Sequence, residues 1–448
     1  VFALVATSAC GSRTDLFLTG TSATVNPVPT LYDDADPCPF AVLAGAPKPM
    51  AGYCSTRDGR ARVPAPSSPH VTWTLSSQPN QDGTGVTIAT DASGHAYVGA
   101  WGENAPSPRM SRIDALAGSI EWSTSFDQAG DDVMPTALLL RNGSVTIVAS
   151  QTESPPSPSV ESFDPAQGTT STGARLDPGL SYVITEPAVG SDGSLYVLGD
   201  ITATGALGSP FGVQRVLPGG GAQWTSVDLS TFVVPTEAVT EVQGFPSSDA
   251  STVALEPDGT VLVEFQGLTT PYGLYATVVA LDPASGDERW ATTFTGQPSG
   301  GLAVLPDGSI ALLVTEGPDG ANLVILEPGG STRRTTTLPD ANQIVAVDRD
   351  GTVFVRGQGG GTSVLVAVGP QGGPEWANQG AFTGAFLASN GVIVAYGGGG
   401  VFAIDEATGQ TMWTLPAPSG NAVCDAELTS AGTLVAVDCA GAIFGASD

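Results

Sequence analysis

Ala403-Ile404-Asp405-Glu406-Ala407-Thr408-Gly409-Gln410-Thr411-Met412-Trp413-Thr414-Leu415 is the stretch from which the rest of the chain can be read. An apolar residue and an Asp lead into a turn glycine, and a Trp stands eight positions after the Asp. The same spacing recurs at Ile113, Asp114, Gly118 and Trp122, and again at Leu281, Asp282, Gly286 and Trp290. Recurrence at fixed spacing marks a repeat fold, whose units cannot bury their apolar faces alone and must stack on one another.

Working outward, a second signal accompanies the first. Apolar residues, a small-residue turn ending in Gly and a further alternating apolar run recur at Gly94, Gly143, Gly193, Gly259, Gly308, Gly351, Gly391 and Gly432. Their separations are 49, 50, 66, 49, 43, 40 and 41 residues, so eight hairpins are expected. Each is followed by a third strand running into the Asp/Gly turn and a fourth beginning near Trp122, Trp224, Trp290, Trp376 or Trp413; Ala174-Arg175 and Arg333-Arg334 stand in that place in two repeats. Four strands at this period describe a propeller blade, and the fold expected is an all-β, eight-bladed propeller of four-stranded antiparallel blades. The last repeat has three strands, whereas Val71 to Leu75, with alternating Val71, Trp73 and Leu75, is a fourth strand without a blade. Placing it in the last blade closes the ring and removes the open edges.

Bulk properties agree. Of 448 residues, 41% are hydrophobic and only 13% charged, with 58 glycines and 35 prolines, the profile of short strands joined by tight turns. The formal net charge of −29 repels nucleic acid and anionic lipid headgroups. Cys38 with Cys54, and Cys424 with Cys439, read as disulfides closing short loops in an oxidising compartment, against the alternative of free buried thiols. Val1 to Ala9, apolar and small, runs into Ser8-Ala9-Cys10-Gly11-Ser12, which resembles the end of a bacterial lipoprotein signal peptide; Thr7 stands where such peptides usually carry Leu. That resemblance implies a lipid on Cys10 and removal of residues 1–9, the alternative being a frayed apolar end. Residues 10–46 read as an acidic, Pro-rich tether, and residues 47–448 as the propeller with its lead-in. Asp33, Asp34 and Asp36 lack the glycine turn and distal Glu of a calcium loop and read as solvated linker.

The Asp-x-x-x-Gly-x-x-x-Trp unit resembles the tryptophan-docking repeat of the quinoprotein (PQQ-like) propellers, a family that includes eight-bladed dehydrogenases and the outer-membrane barrel-assembly lipoprotein. The likeness covers about residues 47 to 448, and Pro49-Met50 through Arg62 resembles the family's lead-in segment. It implies that Trp73, Trp122, Trp224, Trp290, Trp376 and Trp413 pack between neighbouring blades. In the dehydrogenases the quinone sits over the ring centre with a vicinal cysteine disulfide, a calcium and a catalytic Asp; no two cysteines here are adjacent. The two histidines, His70 and His95, have no second ligand at metal spacing and read as exposed turn residues. Asp348 and Asp350 before Gly351 resemble half a calcium loop and read as a turn, and the glycine runs 359–361 and 397–400 as tight connections.

Loop lengths are one-sided. Connections between second and third strands (Trp101 to Arg109, Gln151 to Ser159, Asp200 to Phe211, Gln266 to Tyr275) and the insertion Leu229 to Asp249 fall at one end of the ring. They carry Trp101, Arg109, Phe211, Phe232, Phe245, Tyr272 and Tyr275, candidate partner-binding residues, with ordinary loop drift as the alternative. The sequence therefore points to an exported propeller, outer-membrane lipoprotein, periplasmic or cell-surface, that binds an envelope or extracellular protein, or a glycan, without catalysis. It would touch the membrane only through its lipid anchor and carry no catalytic, metal or cofactor site. The alternatives are a divergent dehydrogenase using PQQ and calcium, a carbohydrate-active propeller, or a purely structural surface protein.

Overall fold

A computed structural model describes residues 54, 56–76, 85–101, 109–125, 133–141, 144–151, 159–171, 182–183, 187–200, 211–218, 222–229, 252–269, 273–315, 320–359 and 362–448. Cys10, Cys38, Gly143, Ala174-Arg175, Phe232, Phe245 and Tyr272 lie outside them.

Among the described residues thirty-three strands form eight antiparallel sheets. The first described strand, β1 (His70–Leu75), belongs to the last sheet. Blade 1 is β2 (Gly85–Thr90), β3 (His95–Trp101), β4 (Arg109–Asp114) and β5 (Ser119–Ser125). Blade 2 is β6 (Val133–Arg141), β7 (Ser144–Gln151), β8 (Ser159–Phe163) and β9 (Thr170–Ser171). In blade 3, β10 (Tyr182–Val183) and β11 (Ala188–Val189) both pair with β12 (Leu195–Asp200), followed by β13 (Phe211–Val216) and β14 (Ala222–Asp228). Blade 4 is β15 (Thr252–Leu255), β16 (Val261–Thr269), β17 (Gly273–Leu281) and β18 (Glu288–Thr295). Blade 5 is β19 (Gln297–Val304), β20 (Ile310–Thr315), β21 (Ala321–Leu326) and β22 (Thr332–Leu338). Blade 6 is β23 (Ala341–Val347), β24 (Val353–Gly359), β25 (Thr362–Val368) and β26 (Pro374–Gly380). Blade 7 is β27 (Phe382–Leu387), β28 (Val392–Gly397), β29 (Gly400–Asp405) and β30 (Thr411–Pro416). Blade 8 is β31 (Val423–Leu428), β32 (Leu434–Asp438) and β33 (Ile443–Ser447), with β1 as its outermost strand in register His70 with Ser447 and Leu75 with Ile443.

The apolar pattern follows from the stacking. A blade is covered on both faces, so its middle strands read as continuous apolar runs. On β20, Ala311 and Leu313 pack into the seam with blade 6, while Ile310, Leu312 and Val314 pack into the seam with blade 4. Outer strands are half-solvated and alternate instead, as Thr411–Pro416 does. The first and last blades share a seam too: Ile88, Val98 and Ile113 meet Val435, Val437 and Ile443, with Trp73 and Leu75 packed against them. The Cys424–Cys439 disulfide, Cα–Cα 5.0 Å, lies in blade 8. Cys54 is also disulfide-bonded, to a partner outside the described residues.

Two expectations need correction. Gln266 to Tyr275 is not a long loop: β16 and β17 stay paired to Thr269 with Gly273, leaving three residues of connection. Gln266-Gly267-Leu268-Thr269 lacks the alternation that marks a strand, and only its cross-strand pairing makes it one. Leu229 is not part of the insertion either, since it is fully buried in the core of blades 3 and 4.

Candidate functional site

The conserved spacing of the repeat becomes a docking rule. An indole or guanidinium on one blade's outer strand reaches the Asp/Gly turn of the next. Trp73 Nε1 donates to Ala115 O (2.7 Å), Trp122 Nε1 to Pro165 O (2.9 Å) and Trp376 Nε1 to Glu406 O (2.7 Å). Trp413 has no such turn ahead of it in blade 8, and its Nε1 donates to Pro66 O of the lead-in at 2.9 Å. Trp290 lies on Gly330; a Cβ there would stand 2.5 Å from the ring, so only glycine admits the contact. Arg334 replaces the indole in blade 5: its guanidinium donates to Pro370 O and its chain covers Gly372. Of Trp224 only the backbone, in β14, is described.

At this turn end the surface is tied down by arginines: in blade 3 Arg215 pairs with Asp192 at 2.5 Å and donates to Pro283 O at 2.7 Å. Arg289 bridges Asp258 (3.1 Å) and Asp282 (3.0 Å) in blade 4. Arg333 bridges Asp307 (2.6 Å) and Glu327 (2.7 Å) in blade 5. His95 is not an exposed turn residue: it is largely buried, 3.0 Å from Asp91 and 2.8 Å from the Arg112 guanidinium, which also pairs with Glu121 at 3.0 Å. His70 is an exposed residue of β1.

Residues 56–66 then run as a belt across the inner strands. Val304, Val347 and Leu387 donate their N–H groups to Thr56 O, Asp58 O and Gly59 O at 2.8, 2.8 and 2.9 Å, and Ser389 N donates to Val63 O at 3.0 Å. Arg57 donates to Val253 O (3.1 Å) and Pro187 O (3.3 Å). The belt thus touches blades 3 to 7 where first strands enter their turns. Asp58 is buried; burial pushes its carboxyl up, and Arg60 at 2.9 Å opposes this.

The other end is where second-to-third connections and blade-to-blade links leave the sheets. Trp101 and Arg109 end β3 and begin β4, and Phe211 begins β13; Arg109 is exposed, while of Trp101 and Phe211 only the backbone is described. Tyr275 is half-buried on β17, opposite Gly267 and Thr295. The structure therefore places these four at one end of the ring; for Phe232, Phe245 and Tyr272 nothing is described.

Sequence reasoning missed the buried polar groups. Glu264, on β16 between Thr252 and Val278, is fully buried with no hydrogen-bond partner for either oxygen among the described residues, and burial pushes its carboxyl up to about 8. Tyr396 lies over Gly384, with its hydroxyl where a Cβ would be; burial first, then Asp425 and Glu427, push it well above its ordinary value. Asp425 accepts from Ile88 N of blade 1 at 2.9 Å. Among the described residues no three His, Cys, Asp or Glu side chains converge as metal ligands. No two of the chain's cysteines are adjacent, so a vicinal cysteine disulfide is not available to it.

This architecture defines a propeller whose blades are latched by docked indoles. Residues 275–447 match the family described as outer membrane protein assembly factor BamB, within a PQQ-like repeat class. Solved structures show the same fold. Quinohemoprotein alcohol dehydrogenase from Comamonas testosteroni is 14% identical, with a TM-score of 0.61 over 91% of this chain and 81% of its own. A europium-containing methanol dehydrogenase is 10% identical, with a TM-score of 0.61 over 91% and 99%. The Dos1 propeller is 12% identical, with a TM-score of 0.57 over 86% and 95%. No curated protein sequence matches. The likeness to the PQQ-like propellers thus holds in the sequence of the last blades and in the fold of nearly the whole chain.

Proposed function

We propose that the chain is a non-catalytic binding scaffold of the cell envelope that engages a protein partner through the end of the ring bearing the long connections. The observation that carries this reading is the inequality of the two ends. One is covered by the belt of residues 56–66 and by stapled turns, whereas the other sends out the connections 102–108, 152–158, 201–210 and 230–251. Connections of variable length on a rigid frame are where binding residues concentrate. The match to an outer-membrane assembly family supports an envelope partner, and the Cys424–Cys439 disulfide supports an oxidising compartment. Lipidation of Cys10 would tether the scaffold.

The test is affinity capture from envelope extracts with the native chain and with a variant lacking residues 230–249 and carrying Trp101→Ala and Tyr272→Ala. The leucine at 229 is kept because it is core. Loss of a captured partner supports the reading, and retention of every partner overturns it. Titration with the quinone and calcium is the complementary arm: a bound chromophore with alcohol turnover would make the chain an enzyme.

A further inference from the structure

The inner strands of blades 6, 7 and 8 each carry a bulge near the connection end, and in blade 8 it is fastened by a bond of a different kind. The extra residue is Asn342 in blade 6, Thr383 in blade 7 and Cys424 in blade 8, where Val423 pairs with Asp438 and Asp425 with Val437. A bulged residue has no ladder partner, so its side chain decides how the strand is held there. Thr383 uses hydrogen bonds: its Oγ1 lies 3.1 Å from Tyr396 O in its own blade and 3.0 Å from Val423 O of blade 8. Cys424 uses a covalent bond, the disulfide to Cys439 just past β32, whose N–H also donates to Ala422 O at 2.8 Å. On either side of it stand two ties that leave the blade. Val423 O takes the Thr383 hydroxyl of blade 7, and Asp425 accepts Ile88 N of blade 1 with one oxygen and Ala426 N with the other, both at 2.9 Å. Three consecutive residues thus join blade 8 to its second strand, to blade 7 and to blade 1, where the ring closes.

We propose that Cys424–Cys439 is a redox clasp on ring closure: its reduction frees the bulge and loosens the two seams of blade 8 together, and its oxidation restores them. Cys424 is an exposed residue, whereas Cys54 is buried, and exposed disulfides are the labile ones. The reductant is a dithiol. One of its thiolates attacks a cysteine sulfur, the other cysteine leaves as thiolate, and the second thiol then resolves the mixed disulfide. Two electrons pass to the cysteine pair, which takes up two protons, and the dithiol departs as a disulfide. With the bond cut, nothing covalent fixes Val423 and Asp425 against β32, so the acceptors they offer to Thr383 and Ile88 shift with the bulge.

Amide hydrogen exchange of the full chain before and after treatment with dithiothreitol, with released thiols counted, tests the clasp. The Ile88 amide, bonded to Asp425, should exchange about tenfold faster once the bond is cut, the loss of roughly one net hydrogen bond. The Gln358 amide, bonded to Asp340 O at 2.8 Å beside the cysteine-free bulge of blade 6, should not change. The double variant Cys424→Ser, Cys439→Ser should exchange fast at Ile88 from the start and ignore dithiothreitol, which separates this bond from that of Cys54. If it fails to fold, the native chain reduced and capped with iodoacetamide takes its place, with the capped cysteines located by mass. Equal protection of Ile88 in the oxidised and reduced chains, loosening of Gln358 alongside it, no thiol released from the folded chain, or a dithiothreitol response that persists in the double variant would each overturn the proposal.

Discussion

The turn end and the connection end of the ring are built from the same strands but held by different physics. At the turn end, the described blades offer short glycine turns, docked indoles or a guanidinium and, in blades 3, 4 and 5, arginine ion pairs; the belt adds backbone hydrogen bonds to blades 5, 6 and 7 and reaches blades 3 and 4 through Arg57. At the connection end the described strand ends of blades 6 to 8 are held by backbone bonds such as Gln358 N to Asp340 O and Gly398 N to Ala381 O and by the Cys424–Cys439 disulfide, while the long connections leave from blades 1 to 4. The difference teaches where substitutions should bite: costly to stability at the turns and at the disulfide of blade 8, costly only to binding on the long connections of blades 1 to 4.

Removing a latch is the strongest way to test this division. Trp376→Ala should destabilise by about 3 to 5 kcal/mol, because it empties the seam it shares with Phe354 and frees Glu406 O from its donor. Denaturant unfolding measures it, and a loss below about 1 kcal/mol would remove the indoles from the frame. Opening the Cys424–Cys439 loop of 15 residues by double Ser substitution should cost about 3 kcal/mol. The belt comes next. Gly59 has φ +65° and a Cβ on it would stand 2.1 Å from Val345 O, so Gly59→Ala should cost roughly 1 to 3 kcal/mol.

Glu264 sharpens the comparison differently, since it is buried in the frame yet unpartnered among the described residues. Its folded value of about 8 lies above the ordinary 4.5, so the native chain should be most stable in acid and lose stability between about pH 4.5 and 8. Glu264→Gln should abolish that slope in melts recorded across the range. The smallest effect is expected at the staples: Arg289→Ala should cost about 0.5 kcal/mol or less, because the guanidinium is 37% exposed.

Much of the frame was legible in the sequence because the repeat spaces side chains, and side chains are what a sequence displays. Asp405, Gly409 and Trp413 announced a blade, and even the replacement of an indole by Arg334 was visible as a gap in the pattern. The belt was not legible, because Thr56, Asp58 and Gly59 act through carbonyls, which every residue possesses. Nor was the bond from Ile88 N to Asp425, which depends on blades 1 and 8 being pressed together. At the candidate face the sequence placed Trp101, Arg109, Phe211 and Tyr275 at one end, but mistook the paired strands around Tyr275 for a loop.

The pairing of the first strand with the last has a consequence in time. Ser67 and Asp448, joined by a hydrogen bond, are 381 residues apart. At synthesis rates of about 5 to 20 residues per second, β1 waits roughly 20 to 80 seconds for its partner. Through that interval Val71, Trp73 and Leu75 form an apolar strand with nothing to pair with, available to a neighbouring chain at the same stage. Two unfinished molecules could then exchange first strands and complete each other's rings, so the yield of monomer should depend on how crowded the chains are while they are being made.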